Sequence, residues 1–314
     1  MKYLTFAACI FTAGQAAAQD YPVTVQSCDR DVTFDAAPKR AVSNDVAITE
    51  MMLVLGLQDH MVGHTGISGW NKIDAALRSG IAALPELAPK SPTREVLIAA
   101  DADFLFAGWN YGLRVGSELT PDTLAPYGIA VYELTESCAH IMDKGKASLE
   151  DMYADILNLG QIFGVTERAT ALVAAWRAEV AALTIDPAQG DRPRVFVYDS
   201  GEDQPFTAGR YAMPTALIEA AGGTNIMDGF EKSWATVGWE EVIDQDPEVI
   251  VIVDYGDVTA AQKRDFMMNN PAFAGLQAVR ADNFVTLDYV EAVPGPRNIG
   301  AIATLAAAFA DARQ

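Results

Sequence analysis

Four of the five tryptophans, Trp70, Trp109, Trp234 and Trp239, stand in segments that read as loops, whereas Trp176 lies inside a long helical pattern. Segments that follow strand-like runs carry Tyr111, Phe206, Tyr211, Tyr255 and Tyr289, with Asn44, Asp45 and Asn110 beside them. The same segments bring Arg114, Arg210 and Arg297. In an open α/β sheet, ligands bind beyond the carboxyl ends of the strands. An aromatic cleft with a few placed cations suits a sizeable ligand that carries anionic groups. Any one tryptophan serves as readily as a lid over a core edge, but the set as a whole points to a cleft.

Catalysis finds little support. "YDSGED" places Ser200 after a strand, yet the G-x-S-x-G elbow is absent. There are three histidines, His60, His64 and His140. His60 reads as a solvated turn residue, and His64, at the end of a strand, is a weak candidate ligand. H-E-x-x-H, C-x-x-C and the P-loop do not occur. A protein-built zinc site wants three or four His, Cys or carboxylate ligands, so no intrinsic metal or cofactor is expected, and the chain reads as a non-enzyme. The formal net charge of −20 argues against nucleic acid and anionic lipid, both of which want basic patches.

The elements that must position these side chains alternate between strand and helix. "RAVSND", "MVGHTG", "FLFAG" and "IAVYEL" alternate with helical patterns, and so do "RVFVYD", "EVIVIVD" and "NFVTLD". Such alternation predicts parallel sheets covered on both faces. Between the two sets, "SLEDMYADILNLGQIFG" opens with a Ser148–Asp151 capping box and ends at Gly164. Thr166 is then expected to cap "TERATALVAAWRAEVAALT", a proline-free strut of strong helix formers. The fold class is α/β, with two lobes, each built on a central, mainly parallel sheet flanked by helices, joined by one long rigid helix. The expected bounds are a signal peptide over 1–19, an N-terminal lobe over 20–147, a helical segment with the strut over 148–190 and a C-terminal lobe over 191–314.

The lobes look duplicated. "EVLIAADADFLFA" (Glu95–Ala107) aligns without a gap on "EEVIDQDPEVIVI" (Glu240–Ile252) at an offset of 145 residues. Glu95 falls on Glu240, Asp101 on Asp246 and Asp103 on Glu248. Solenoid repeats recur every 20–50 residues or so, much closer than this.

"MKYLTFAACIFTAGQAAAQD" has Lys2, a short apolar run and the small-residue site Ala16-Ala17-Ala18, the pattern of a cleavable secretory signal. Cys9 falls within it, leaving Cys28 and Cys138 in the exported chain. Two cysteines in an oxidising compartment suggest one disulfide, with two unrelated buried thiols as the alternative.

"RAVSNDVAITEMMLVLGLQDHMVG", "EVLIAADADFLFAGW", the strut, "WEEVIDQDPEVIVI" and "YVEAVPGPRNIGAIATLAAAF" resemble, in order, the periplasmic substrate-binding proteins of ABC importers for ferric siderophores, haem and vitamin B12. The resemblance covers essentially all of the exported chain. It implies a monomer in the periplasm that holds its ligand between two lobes and docks on a membrane permease dimer. One surface glutamate per lobe meets arginine pockets on the permease in that family, and those positions fall on or near Glu95 and Glu240; the plainer reading is a pair of first-turn glutamates favoured by the helix dipole. The aromatics and three cleft arginines fit a ferric catecholate or carboxylate siderophore, in which the chelator and not the protein binds iron, as the first choice of ligand. Haem comes next, with His64 or a cleft tyrosine as axial ligand, and a corrinoid third. An exported enzyme on the same scaffold is the remote alternative.

Overall fold

The computed structural model describes residues 20–70, 75–183 and 192–312. The expected signal peptide over 1–19 lies outside the described residues. Two parallel sheets organise the chain. The first runs Glu86–Ala88, Met61–Thr65, Ala41–Asn44, Phe104–Trp109, and the last of these also carries Ala130–Glu133 and the short Gly112–Leu113. The second runs Thr224–Asn225, Arg194–Tyr198, Val249–Asp254, Phe284–Asp288.

Strands buried on both faces explain the apolar runs in the sequence. Phe104 and Phe106 point to one face of the first sheet, and Leu105 and Ala107 to the other, where they join Val42 and Val131. In the second sheet Val249, Val251 and Val253 share the first group's core, while Ile250 and Ile252 pack outward with Phe196. One apolar core therefore passes from the inner face of one sheet, through the intervening helices, to the inner face of the other.

Those helices are Leu149–Ile162 and Thr166–Ala182. The first begins as expected: Ser148 Oγ accepts from the Glu150 amide at 3.1 Å, and Asp151 Oδ2 accepts from the Ser148 amide at 3.2 Å. The cap on the second is a correction. Thr166 is its first helical residue, and Val165 occupies the cap position without a side-chain bond; the Thr166 hydroxyl instead donates to Gly160 O at 3.3 Å. A Cβ on Gly160 would stand 2.4 Å from Ala169 Cβ, so glycine lets the two helices cross closely. The second helix has 17 residues, about 26 Å of rise, and also rests on the C-terminal helix Asn298–Ala312.

Ahead of the first sheet lies an antiparallel pair, Val23–Ser27 with Arg30–Phe34. Cys28, in its turn, is bonded to Cys138 with a Cα–Cα distance of 5.3 Å. No helix among the described residues is long and apolar enough to cross a membrane.

Candidate ligand cleft

The carboxyl ends of both sheets open on one cavity of about 280 Å³. Nine of the residues expected at a cleft line it: Asn44, Asp45, Trp70, Asn110, Tyr111, Phe206, Trp234, Tyr255 and Tyr289. Phe206 and Trp234 belong to a small antiparallel pair, Phe206–Ala208 with Trp234–Thr236, which stacks their rings 6.0 Å apart at 21°. Trp70 stands at the rim with Lys90 Nζ 4.6 Å from its ring centroid.

Two buried aspartates set the electrostatics. Asp45 follows the strand Ala41–Asn44 and takes φ 80° with ψ 155°, a sparsely populated conformation that side chains other than glycine rarely adopt. It caps the helix Val46–Val54, accepting from the Ala47 amide at 3.4 Å. Asp199 follows the equivalent first strand of the other sheet, Arg194–Tyr198. Tyr289 OH donates to Asp45 at 3.1 Å, and Tyr255 OH donates to Asp199 at 3.1 Å, with the two rings 5.1 Å apart. Burial first, and the neighbouring Asp45 second, hold the Tyr289 phenol well above its ordinary range; burial and Asp199 do the same for Tyr255. Tyr111 is raised by burial, then by Glu136 and Asp45. All three phenols are thus neutral hydrogen-bond donors at ordinary pH. His140 lines the cavity with Asn110 Nδ2 3.3 Å from its ring nitrogens, and burial lowers its pKa, favouring the neutral ring. No lysine or arginine is among the described residues that line the cavity.

Residues 42–290 match the periplasmic binding protein family. The chain belongs to that family. It is similar to a cobalamin-binding protein of Halobacterium salinarum, 25% identical over 300 residues that span 92% of this chain and 74% of the relative. Among solved structures it is similar to a periplasmic binding protein from Veillonella parvula, at 31% identity and a TM-score of 0.80 over 92% of this chain and 98% of that one. An ABC-type Fe3+-hydroxamate transport protein from Saccharomonospora viridis matches at 27% identity and a TM-score of 0.78, over 92% and 99% of the two chains. The family match makes this chain a binding protein, built on two parallel sheets.

In this binding protein five expected cleft residues lie away from the cavity. Trp109 is 7% exposed, and its indole donates to buried Glu133 at 2.8 Å. The strand continues through Trp109, so alternation sends its ring to the outer face with Leu105 and Ala107. Arg114 lines a neighbouring hollow of about 410 Å³ whose walls share Ser91, Asn110 and Gly112 with the cavity. Arg210 is drawn to Glu231 at 3.3 Å, and the Tyr211 amide donates to Lys232 O at 2.9 Å. Arg297 Nε sits 3.0 Å from both carboxylate oxygens of Glu50, linking the C-terminal region to the helix Val46–Val54.

His64 is buried in its strand and does not line the cavity; burial depresses its pKa. Among the described residues no group of three or more His, Cys, Asp or Glu is placed to hold a metal ion. Five lining residues were not singled out from the sequence: Ser91, Gly112, His140, Asp199 and Val293. Asp199 had a usable signal, because it closes "RVFVYD" as Asp45 closes "RAVSND".

Proposed function

We propose that this binding protein captures a neutral or cationic metal chelate, of the ferric hydroxamate siderophore class, and delivers it to a membrane permease dimer. The observation that carries this reading is the pair of buried aspartates in a cavity with no lysine or arginine among the described residues that line it. The buried Lys263 lies behind Tyr255, 5.1 Å from its ring centroid, and offsets part of the Asp199 charge. A unit negative charge on the ligand about 5 Å from one carboxylate is opposed by about 3 kcal/mol at an effective dielectric near 20. That term disfavours anionic catecholate and carboxylate chelates and the propionates of haem, the reverse of what cleft arginines would have selected. Trp234 and Phe206 supply apolar contact, and the aspartates accept from N–H or ammonium groups. The Fe3+-hydroxamate relative from S. viridis supports the same class.

A corrinoid is the second reading. Its rim of carboxamide donors suits the same acceptors, and the cobalamin-binding relative covers 92% of this chain.

Glu95 and Glu240 are both exposed, each in the first turn of its helix. Their matched positions support one docking carboxylate per lobe for a two-fold permease. The deciding experiment is titration of the purified protein, by tryptophan fluorescence, with ferrioxamine B (cationic), ferrichrome (neutral), an anionic ferric tris-catecholate, haemin and cyanocobalamin. Binding of ferrioxamine B and ferrichrome is expected. Preference for the tris-catecholate or haemin would sink the reading, and preference for cyanocobalamin would move it to the corrinoid.

A further inference from the structure

Asn44 closes the first strand of its sheet at the cavity wall and is 4% exposed. Its carboxamide is held one way round. The Thr65 hydroxyl donates to Asn44 Oδ1 at 2.9 Å, which leaves Nδ2 at the opposite end. Glycines press on both ends. A Cβ on Gly66 would stand 2.7 Å from Oδ1, and one on Gly112 would stand 2.8 Å from Nδ2. Both glycines also take positive φ, +77° and +109°, so other side chains are disfavoured by strain as well as by space.

The two ends differ in what they face. Gly112 lines the cavity and Gly66 does not, so Nδ2 is the end presented to a ligand. Among the described residues Nδ2 has no hydrogen-bond partner. Its surroundings offer mostly acceptors: Asp45 is the next residue, Asp199 stands across the cavity, and the phenols of Tyr255 and Tyr289 are already directed at those carboxyls. A donor held in place by a hydroxyl and two glycines, beside the Asp45 carboxyl and with the Tyr111 hydroxyl as another donor in the same wall, distinguishes ligands by what they place against it.

We infer that Asn44 is a specificity-determining residue of the cleft, donating from Nδ2 to an acceptor oxygen of the bound molecule, a hydroxamate or amide carbonyl. The inference rests on the cleft being the ligand site and adds the polarity required at one point of the ligand. Asn44→Asp is the sharp test, because the carboxylate still accepts from Thr65 while the donor becomes a second acceptor. Asn44→Ala removes both functions, and Thr65→Val frees the amide to turn.

The readouts are dissociation constants for ferrichrome, ferrioxamine B and cyanocobalamin, with the melting temperature of each variant. Asn44→Asp, measured where the new carboxyl is ionised, is expected to weaken the neutral probe that the wild type binds by roughly tenfold or more and to penalise cationic ferrioxamine B less. Some loss of melting temperature is expected with it, because the carboxylate is buried beside Asp45. Asn44→Ala should weaken every probe that binds, and Thr65→Val should fall between wild type and Asn44→Ala. Unchanged affinities in Asn44→Asp and Asn44→Ala, alongside normal wild-type binding, would overturn the inference alone, as would a drop in melting temperature with affinity intact. A wild type that binds none of the three probes would overturn the cleft reading and this inference together.

Discussion

In the first lobe the helix Arg94–Ala99 runs into Asp101, and in the second Trp239–Gln245 runs into Asp246. Both aspartates take left-handed backbone, with φ of 51° and 42°. In each lobe an arginine at the head of the neighbouring strand caps the turn: Arg40 Nε donates to Asp101 O at 2.7 Å, and Arg194 Nη2 to Asp246 O at 2.9 Å. In each, the acid two residues further on accepts from that arginine's amide, Asp103 at 2.9 Å and Glu248 at 2.9 Å. The lobes part at the side chain of the left-handed residue. Asp101 is exposed and reaches only as far as Arg40 Nε, at 3.2 Å. Asp246 accepts from the Gln277 amide at 2.9 Å and from Gln277 Nε2 at 2.7 Å, anchoring the helix Gln277–Ala281. The same turn thus recurs in both lobes as a backbone device, and only in the second does its side chain hold another element.

The largest expected effect asks whether the lobes remain equivalent in use. Replacing Glu95 and Glu240 together with Ala should leave ligand affinity and stability almost untouched, since exposed changes usually cost within about 0.5 kcal/mol. Uptake in reconstituted vesicles should fall steeply, by the equivalent of about 2–5 kcal/mol if each carboxylate meets a buried cation. Normal uptake by the double variant would break the symmetry of the docking picture.

The disulfide is where the lobes differ most. Only the first is cross-linked, and Cys28–Cys138 closes a separation of 110 residues. Replacing both cysteines with Ser should cost about 2–4 kcal/mol in denaturant unfolding. A loss well under 1 kcal/mol would mean that the β-pair Val23–Ser27 and Arg30–Phe34 is held by its other contacts, chiefly buried Glu133 with Ser27 at 2.8 Å and Arg30 at 2.6 Å.

The duplicated backbone was largely legible in the sequence, and the reason is physical. Strands buried on both faces must be apolar throughout, so "FLF" and "VIVIV" announce themselves. The lining of the cavity was legible where position alone decided it, as for Asn44, Asp45, Tyr255 and Tyr289, each at or beyond the end of a strand. It was illegible where a partner from a distant segment decided it. Arg297 is claimed by Glu50, and Arg210 by Glu231. Neither pairing leaves a mark in local sequence. Trp109 turned on a smaller matter: ending the strand one residue early at Gly108 puts the indole in a loop, while one more residue of alternation puts it in the outer core.

A pH series probes a second asymmetry, because the two acids pushed furthest upward both lie in the first half of the chain. Burial, reinforced by Asp151, raises the Glu136 carboxyl to about 8, and burial raises Asp155 to about 7 against its bonds from Tyr132 and Thr135. Glu136 Oε1 has Ser233 of the second half at 3.5 Å, while Oε2 has no hydrogen-bond partner among the described residues. Its folded pKa exceeds the ordinary value of 4.5, so its contribution is fully present below that value and is lost as pH rises through about 8. Each such proton tilts stability by up to about 1.4 kcal/mol per pH unit. Glu136→Gln should therefore flatten part of the decline in melting temperature between about pH 5 and 8, leaving the share due to Asp155. An unchanged slope would place the titration elsewhere.

The smallest effect returns to the paired turns, and its value lies in the opposite signs expected. A non-glycine residue in left-handed backbone costs about 1–2 kcal/mol, less for Asp, and glycine removes that cost. At Asp101 little opposes the gain, since the carboxyl is exposed and its contact with Arg40 is a surface ion pair worth about 0–1 kcal/mol. Asp101→Gly should thus be neutral or stabilising by a few tenths of a kcal/mol. At Asp246 the same substitution removes two hydrogen bonds to Gln277 and leaves that residue's amide without its acceptor. Each such bond contributes about 0.5–1.5 kcal/mol, so Asp246→Gly should be destabilising by roughly 1 kcal/mol after the relief of strain. Denaturant midpoints of the two variants decide it. Equal shifts of the same sign would show that the side chain of Asp246 does no more for its lobe than that of Asp101 does for the other.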